Sequence, residues 1–363
     1  MIAHGGDVWQ VSEGLGIPAA ELLDFSANIN PRRLPSRARA RLAHDAADAR
    51  LLSFYPDPSA QHLRNALSEQ LGVPADAIVI GPGAEALLAP VLRALQSRRM
   101  LVPVPAFGEY RRVCDQNQIE FMPFPLSRDE LFRTPVDFLC RRIESTSPDT
   151  VLLNNPHNPS GAMLCPEDVE RVAESAMAMR STLVLDEAFI DYVPRCSFVR
   201  TAAAQPALIV IRSLTKFYGC PALRVGYAVS HPDTIRRIRA LLPTWPVTQL
   251  AIDTLAEAVA DREYAASSLQ ENEAERIRFS ESLERLGLFV FPSAANYLFL
   301  ELPPAAPASS ELRARLIANH RILIRNCDSY ERLAPGRFIR LAVRSAEENR
   351  RLIDALAEEL RLP

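Results

Sequence analysis

The sequence predicts an α/β protein: a large domain with a mainly parallel central sheet between helices, followed by a smaller α+β domain. Three observations lead there. Short, continuous runs rich in Val, Ile and Leu recur between residues 78 and 229, as strands buried on both faces should. Helical segments fall between several of them, the alternation expected of a parallel sheet with crossover helices. After Pro243-Thr244-Trp245-Pro246 the rhythm gives way to a long helical stretch, then to strand, helix and strand. At 363 residues the chain is long enough for two such domains. The expected division is an N-terminal segment over 1–34, the large domain over 35–245 and the small one over 246–363.

In order, the first thirty residues are mixed and end in Asp24-Phe25-Ser26-Ala27-Asn28-Ile29-Asn30-Pro31, where Asn and Pro mark irregular chain. An arginine-alanine helix over about 35–50 precedes a turn at Phe54-Tyr55-Pro56-Asp57. Leu63, Leu67 and Leu71 then repeat at helical spacing. A strand at 78–80 runs into Gly81-Pro82-Gly83-Ala84-Glu85 and an apolar helix to 95. Further strands are read at 100–104, 150–153, 182–185, 207–211 and 225–229, with a helix at 166–179. The helical stretch after residue 246 bends near Asp261 and ends near 286. Strands follow at 288–291, 296–302 and 337–343, a helix at 311–319, a Pro/Ala loop at 303–308 and a closing helix after Ser345.

Composition narrows the class. Hydrophobic content of 48% and charged content of 23% suit an ordinary globular protein. A formal net charge of -3 gives no reason to expect nucleic acid or an anionic membrane as partner. The beginning lacks the basic and apolar regions of a signal peptide, and no apolar run is long enough to span a bilayer. Six cysteines without CxxC or metal-ligand spacing read as buried thiols in a reducing compartment. The expectation is a cytoplasmic protein without a metal.

Chemistry concentrates in a few stretches. Of 41 basic side chains, only Lys216 is a lysine. A guanidinium stays protonated, whereas a lysine amine can lose its proton and attack a carbonyl. Codon bias would also leave a solitary lysine. Gly81-Pro82-Gly83-Ala84-Glu85 follows a strand and opens a helix, where backbone N–H groups can approach a phosphate; tight turns need glycine anyway. Asn154-Asn155-Pro156-His157-Asn158-Pro159-Ser160-Gly161 is either plain turn chemistry or a ligand loop at a strand's carboxyl end. Asp186 at a strand end is a solvated acid or a partner for a protonated ring nitrogen. Arg224, eight residues beyond Lys216, is a surface charge or a phosphate ligand beside Ser213 and Thr215.

Together and in this order, these stretches resemble the class I and II aminotransferase family, fold type I enzymes dependent on pyridoxal 5′-phosphate (PLP), over essentially the whole chain. The resemblance implies that Lys216 forms a Schiff base with PLP. Asp186 would pair with the pyridinium nitrogen, Asn158 would bond the phenolic oxygen, and Phe107 in Pro105-Ala106-Phe107-Gly108-Glu109-Tyr110 would stack on the ring. Gly83, Ala84, Ser213, Thr215 and Arg224 would hold the cofactor phosphate. Tyr55 would reach the phosphate of a partner subunit, which implies a homodimer.

Further motifs are similar to the L-threonine-O-3-phosphate decarboxylases, a branch of that family close to the histidinol-phosphate aminotransferases. They are His4-Gly5-Gly6, residues 24–31, Asp186-Glu187-Ala188-Phe189-Ile190-Asp191, Ile322-Leu323-Ile324-Arg325 and residues 339–345. The implied activity is decarboxylation of threonine phosphate to aminopropanol phosphate and CO2 for the nucleotide loop of cobalamin. Histidinol-phosphate transamination and decarboxylation of serine phosphate are the alternatives. Arg340 would take the substrate carboxylate, a bidentate task suited to guanidinium. His4, Asn28 and Arg325 would take the substrate phosphate, with Asn158 also at the substrate and the 1–34 segment contributing to its site. A regulator carrying this fold would need a DNA-binding domain ahead of His4. The chain departs from the family at Pro82, Asp7 and Thr248, each standing where relatives have asparagine. Phe189 replaces a tyrosine of many aminotransferases, a feature the decarboxylases share.

Overall fold

Thirteen strands form in chain order among the residues described, 5–360, of the computed structural model. They are β1 (Leu23–Asp24), β2 (Ile78–Gly81), β3 (Arg99–Val104), β4 (Glu120–Pro125), β5 (Thr150–Asn154), β6 (Thr182–Asp186), β7 (Leu208–Ser213), β8 (Gly226–Val229), β9 (Phe289–Phe291), β10 (Tyr297–Glu301), β11 (Ile322–Leu323), β12 (Arg325–Asn326) and β13 (Phe338–Ala342).

Seven of them make the central sheet in the order β2-β8-β7-β6-β5-β3-β4. Only β8 runs against its neighbours; the remaining six are parallel to one another. Alternate residues feed two separate cores. Leu153, Leu185 and Val210 pack on one face, and Leu152, Val184 and Ile209 on the other. This explains the unbroken apolar runs, because a strand covered on both faces has no polar side to show. Helices Ala84–Ala94, Glu109–Gln116 and Pro232–Arg239 cover the second face.

A second, antiparallel sheet has the order β12-β13-β10-β9. Leu298, Leu300, Ile339 and Leu341 form its core with Phe279, Leu283, Leu312, Leu316 and Leu352 from the helices Arg262–Arg285, Ser309–His320 and Ala346–Glu359. The expected bend near Asp261 is a break: Asp261 ends the helix Gln249–Ala260 and caps the next by accepting from the Tyr264 N–H. Ser345 opens the last helix with a complete capping box to Glu348.

The N-terminal segment forms a third, two-stranded sheet, β1-β11, and is tied to the antiparallel sheet where the Ala342 N–H donates to the Phe25 carbonyl at 2.9 Å. Leu23 and Asp24 pair in parallel with Ile322 and Leu323, and the Phe25 N–H continues the ladder to Leu323 at 2.8 Å. Among the described residues no helix is long and apolar enough to cross a membrane, no three His, Cys, Asp or Glu side chains gather as metal ligands would, and all six cysteines are free.

Candidate active site

The carboxyl ends of the parallel strands meet at one edge of the central sheet. Register sets Asn154 beside Asp186 and Asp186 beside Ile211. On the other side, Gly226 stands opposite both Gly81 and Ser213. The loops leaving these ends surround a cavity of about 450 Å³. Gly83, Ala84, Phe107, Asn158, Asp186, Ser213, Thr215, Lys216 and Arg224 all line it, joined by Asn28, Arg325 and Arg340. Ligand sites of open α/β sheets fall at this edge.

One wall is built for an anion. The helix Ala84–Ala94 opens on Gly83, which has φ 109° and supplies no side-chain cap. The first N–H groups of that helix are therefore left for a ligand. Glycine is required at 226, since a Cβ there would lie 2.3 Å from the Ala84 nitrogen. The Ser213 and Thr215 hydroxyls lie 2.8 Å apart, and Arg224 has no carboxylate partner among the described residues. Pro82 does not line the cavity.

Beside this wall lie the groups suited to an aromatic ring. Phe107 meets Tyr110 edge to face at 5.7 Å. Asp186 is held through both oxygens: the Tyr110 hydroxyl donates to Oδ2 at 2.6 Å and the Ala188 N–H to Oδ1 at 2.9 Å. Burial raises the Asp186 carboxyl above its ordinary value, while these two donors and the Lys216 charge pull it down. Such a carboxylate is fixed in direction and favours a cationic partner.

Lys216 sits on the one-turn helix Leu214–Phe217 that follows β7. Its amine lies 5.1 Å from the Phe189 ring centroid. The side chain is only partly exposed, on the cavity wall. Desolvation lowers the amine from 10.5 to about 8, Arg224 and Arg340 push the same way, and Asp186 opposes them. A fraction of it is thus an uncharged nucleophile near neutral pH.

The far wall comes from the second sheet. Arg325 on β12 stands directly opposite Arg340 on β13, and both are 6% exposed. Arg340 donates to Asn158 Oδ1 at 2.5 Å, to the Tyr330 hydroxyl at 3.1 Å and to the Ser26 carbonyl at 3.0 Å; its Nε is buried and unpartnered. Arg325 donates to Ser329 Oγ at 2.6 Å and stacks on Tyr330 at 5.3 Å. Neither has a carboxylate partner among the described residues. Asn28 is buried with its Oδ1 unpartnered, and its amide can present either edge by rotation. Tyr110 and Tyr330 were not among the candidates read from the sequence. Tyr110 lies in the quoted Phe107 stretch, on the helix Glu109–Gln116, but neither it nor Tyr330 carried a sequence signal of its own.

The remaining candidates fall elsewhere. Tyr55 is 77% exposed and stacks on Trp245 at 4.3 Å, away from the cavity of its own chain. His4 lies outside the described residues, although Gly5 lines the cavity. Asp7 is occupied by Arg313 at 2.6 Å. Thr248 caps the helix Gln249–Ala260 by accepting from the Ala251 N–H. Of Ser26 and Asn30, only Ser26 lines the cavity.

An uncapped helix start with hydroxyls and a guanidinium, a fixed carboxylate, an edge-held aromatic and a depressed amine form a donor set that fits PLP. Residues 20–356 match the family described as Aminotransferase class I and II, and the chain belongs to that PLP-dependent family. A threonine-phosphate decarboxylase of Salmonella typhimurium is 35% identical, spanning 99% of this chain and 96% of its own. A histidinol-phosphate aminotransferase of Aromatoleum aromaticum is 30% identical, with 94% of each chain covered. In fold, the chain matches histidinol-phosphate aminotransferase from Sinorhizobium meliloti, solved in complex with pyridoxal-5′-phosphate. The TM-score is 0.88 at 23% identity, covering 97% of this chain and 94% of that one.

Proposed function

We propose that this protein decarboxylates L-threonine O-3-phosphate to (R)-1-aminopropan-2-ol O-2-phosphate and CO2, a step of cobalamin nucleotide-loop synthesis. The observation that carries the reading is the pair of buried guanidiniums on β12 and β13. A carboxylate and a phosphate on one small substrate call for two such groups at different distances from the amine. Threonine-phosphate decarboxylase is also what the 35% identical relative is called.

Bound PLP supplies an electron sink for the pair released when a bond at Cα breaks. The chain's residues decide which bond that is. Arg340 would grip the substrate carboxylate, and Arg325, Asn28 and His4 the substrate phosphate. Two anchors on either side of Cα fix its rotation. Ser213, Thr215, Arg224 and the N–H groups beyond Gly83 would hold the cofactor phosphate, and Phe107 would cover the ring. Asn158 would donate to the phenolic oxygen from the amide whose Oδ1 binds Arg340. Asp186 would hold a proton on the ring nitrogen. Lys216, its amine at the cavity wall, would return a proton to Cα after the Cα–carboxylate bond has broken and CO2 has left.

The reading places the protein in the cytoplasm as a homodimer, with Tyr55 of each copy entering the other's site. Purified protein loaded with PLP is expected to release CO2 from L-threonine phosphate, measured with carboxyl-labelled substrate. Stoichiometric conversion of the cofactor to its pyridoxamine form without CO2 would instead establish an aminotransferase, of the kind the relatives at 30% identity are called.

A further inference from the structure

The stretch from Asn28 to Asn30 faces two ways. Asn28 lines the cavity, while Asn30, 5% exposed, is turned into the back of the lysine's own turn. The Asn30 N–H donates to the Lys216 carbonyl at 3.0 Å. Its Nδ2 donates to the Phe217 carbonyl at 2.8 Å, with Ser268 Oγ at 3.1 Å and the Tyr264 hydroxyl at 3.2 Å beside it. Its Oδ1 accepts from the Arg32 N–H at 3.1 Å.

These bonds fall at the carbonyl end of the lysine's short helix. The helix Leu214–Phe217 has four residues; its Thr215 and Lys216 carbonyls accept from the Cys220 and Gly219 N–H groups just beyond it, whereas the Phe217 carbonyl is met by donors from other segments, Asn30 and Tyr264. The Tyr264 hydroxyl stands 3.1 Å from the same Phe217 carbonyl and 2.7 Å from that of Arg33. Just beyond, Gly219 has φ 61°, and a Cβ there would lie 2.5 Å from the Arg33 Cα. The two segments are interlocked at backbone distance.

We propose that Asn30 is a positioning residue for Lys216: its amide clamps the carbonyl end of the one-turn helix, holding the amine at the cavity wall and tying it to the segment that carries Asn28. The proposal rests on the reading of Lys216 as the reactive amine. A residue that merely stabilised the fold would lower the melting temperature and leave the amine of the folded protein unaltered. A positioning residue alters the amine itself, because a loosened turn gives it more water and moves its proton affinity back toward that of an ordinary lysine.

Because Lys216 is the only lysine in the sequence, the test needs no cofactor. PLP-free protein is treated with an amine-reactive reagent over a pH series, and the peptide containing Lys216 is quantified by mass spectrometry. Asn30→Leu keeps charge and approximate size while removing the amide. The labelling midpoint is expected to move up by about one pH unit, with labelling at pH 8 several-fold slower. Turnover of the PLP-loaded variant on threonine phosphate should fall at least ten-fold, with KM changed less than three-fold. If Asn30→Leu does not fold, the double variant Tyr264→Phe, Ser268→Ala leaves Asn30 in place and removes the groups that orient its amide. The same shift, smaller, is expected there. An unchanged midpoint in a folded variant overturns the proposal. A failed decarboxylase reading would abolish turnover in the parent protein and leave the labelling shift intact, so the two failures are separable.

Discussion

At the scale of single residues, the site is a place where charge is held at a cost. Lys216 binds its proton only up to about pH 8 in the folded protein, against 10.5 for an ordinary lysine. Between those values the unfolded chain binds more protons than the folded one, so on this group's account PLP-free protein gains stability as pH rises from 8 to 10.5. Below pH 8 the cost is full. Because the amine faces a cavity, we set it on the order of 1–3 kcal/mol. PLP-free Lys216→Met is therefore expected to be more stable than the parent by that amount at pH 7, with the gap closing toward pH 10.5, as urea melts would show. A Met variant less stable at pH 7 would contradict this. The lysine and the residues proposed to hold the cofactor phosphate could be read from the sequence because fixed spacings carry them, and the fold brings them to one cavity. Arg340 was legible only through family resemblance, since forty arginines hide any one of them. What sets it apart, burial without an acid, appears only in the fold.

At the scale of elements, the wall proposed for the substrate depends on one cross-strand pair. Arg325 and Arg340 face each other across β12 and β13, and like charges directly opposite destabilise a ladder by several tenths of a kcal/mol. Ligand-free Arg325→Leu should accordingly be as stable as the parent or up to about 1 kcal/mol more stable. The KM for threonine phosphate should rise at least ten-fold. Melting temperatures and initial rates test both halves, and a destabilised variant with unchanged KM would remove Arg325 from the substrate site. Some elements escaped the sequence reading for physical reasons. Strand β4, Glu120–Pro125, lies at the sheet edge and contains Pro123 and Pro125, which an edge strand tolerates and a pattern search rejects. The helix Val136–Thr146 buries only Val136, Leu139 and Ile143, a narrow stripe. The reversed direction of β8 had no local sign, because an apolar strand reads the same either way.

At the scale of the whole molecule, the cavity forms where two sheets meet, with the central sheet presenting the groups proposed for the cofactor and the antiparallel sheet the two arginines. The parallel pairing of β1 with β11 brings Ser26 and Asn28 between them. Pairing across three hundred residues leaves no local trace, so the N-terminal segment read as irregular chain although it is held in register. The same scale carries the proposal of a homodimer. Tyr55, largely exposed, and Trp245, half-exposed, are stacked and lie with Phe54 and Leu52 among the exposed large apolar residues, and apolar groups gathered on a surface mark an interface. If Tyr55 serves the partner's site, defects in different parts of that site can complement. Lys216→Arg retains Tyr55 but lacks the amine; Tyr55→Ala retains the amine but lacks the reaching tyrosine. A mixed dimer then has one intact site, made from the lysine of one copy and the tyrosine of the other. Refolding the two variants together in equal amounts should yield mixed dimers in half the population, each with one working site of two. That restores about a quarter of the parent activity. Activity no greater than the sum of the two variants refolded apart would confine each site to a single chain.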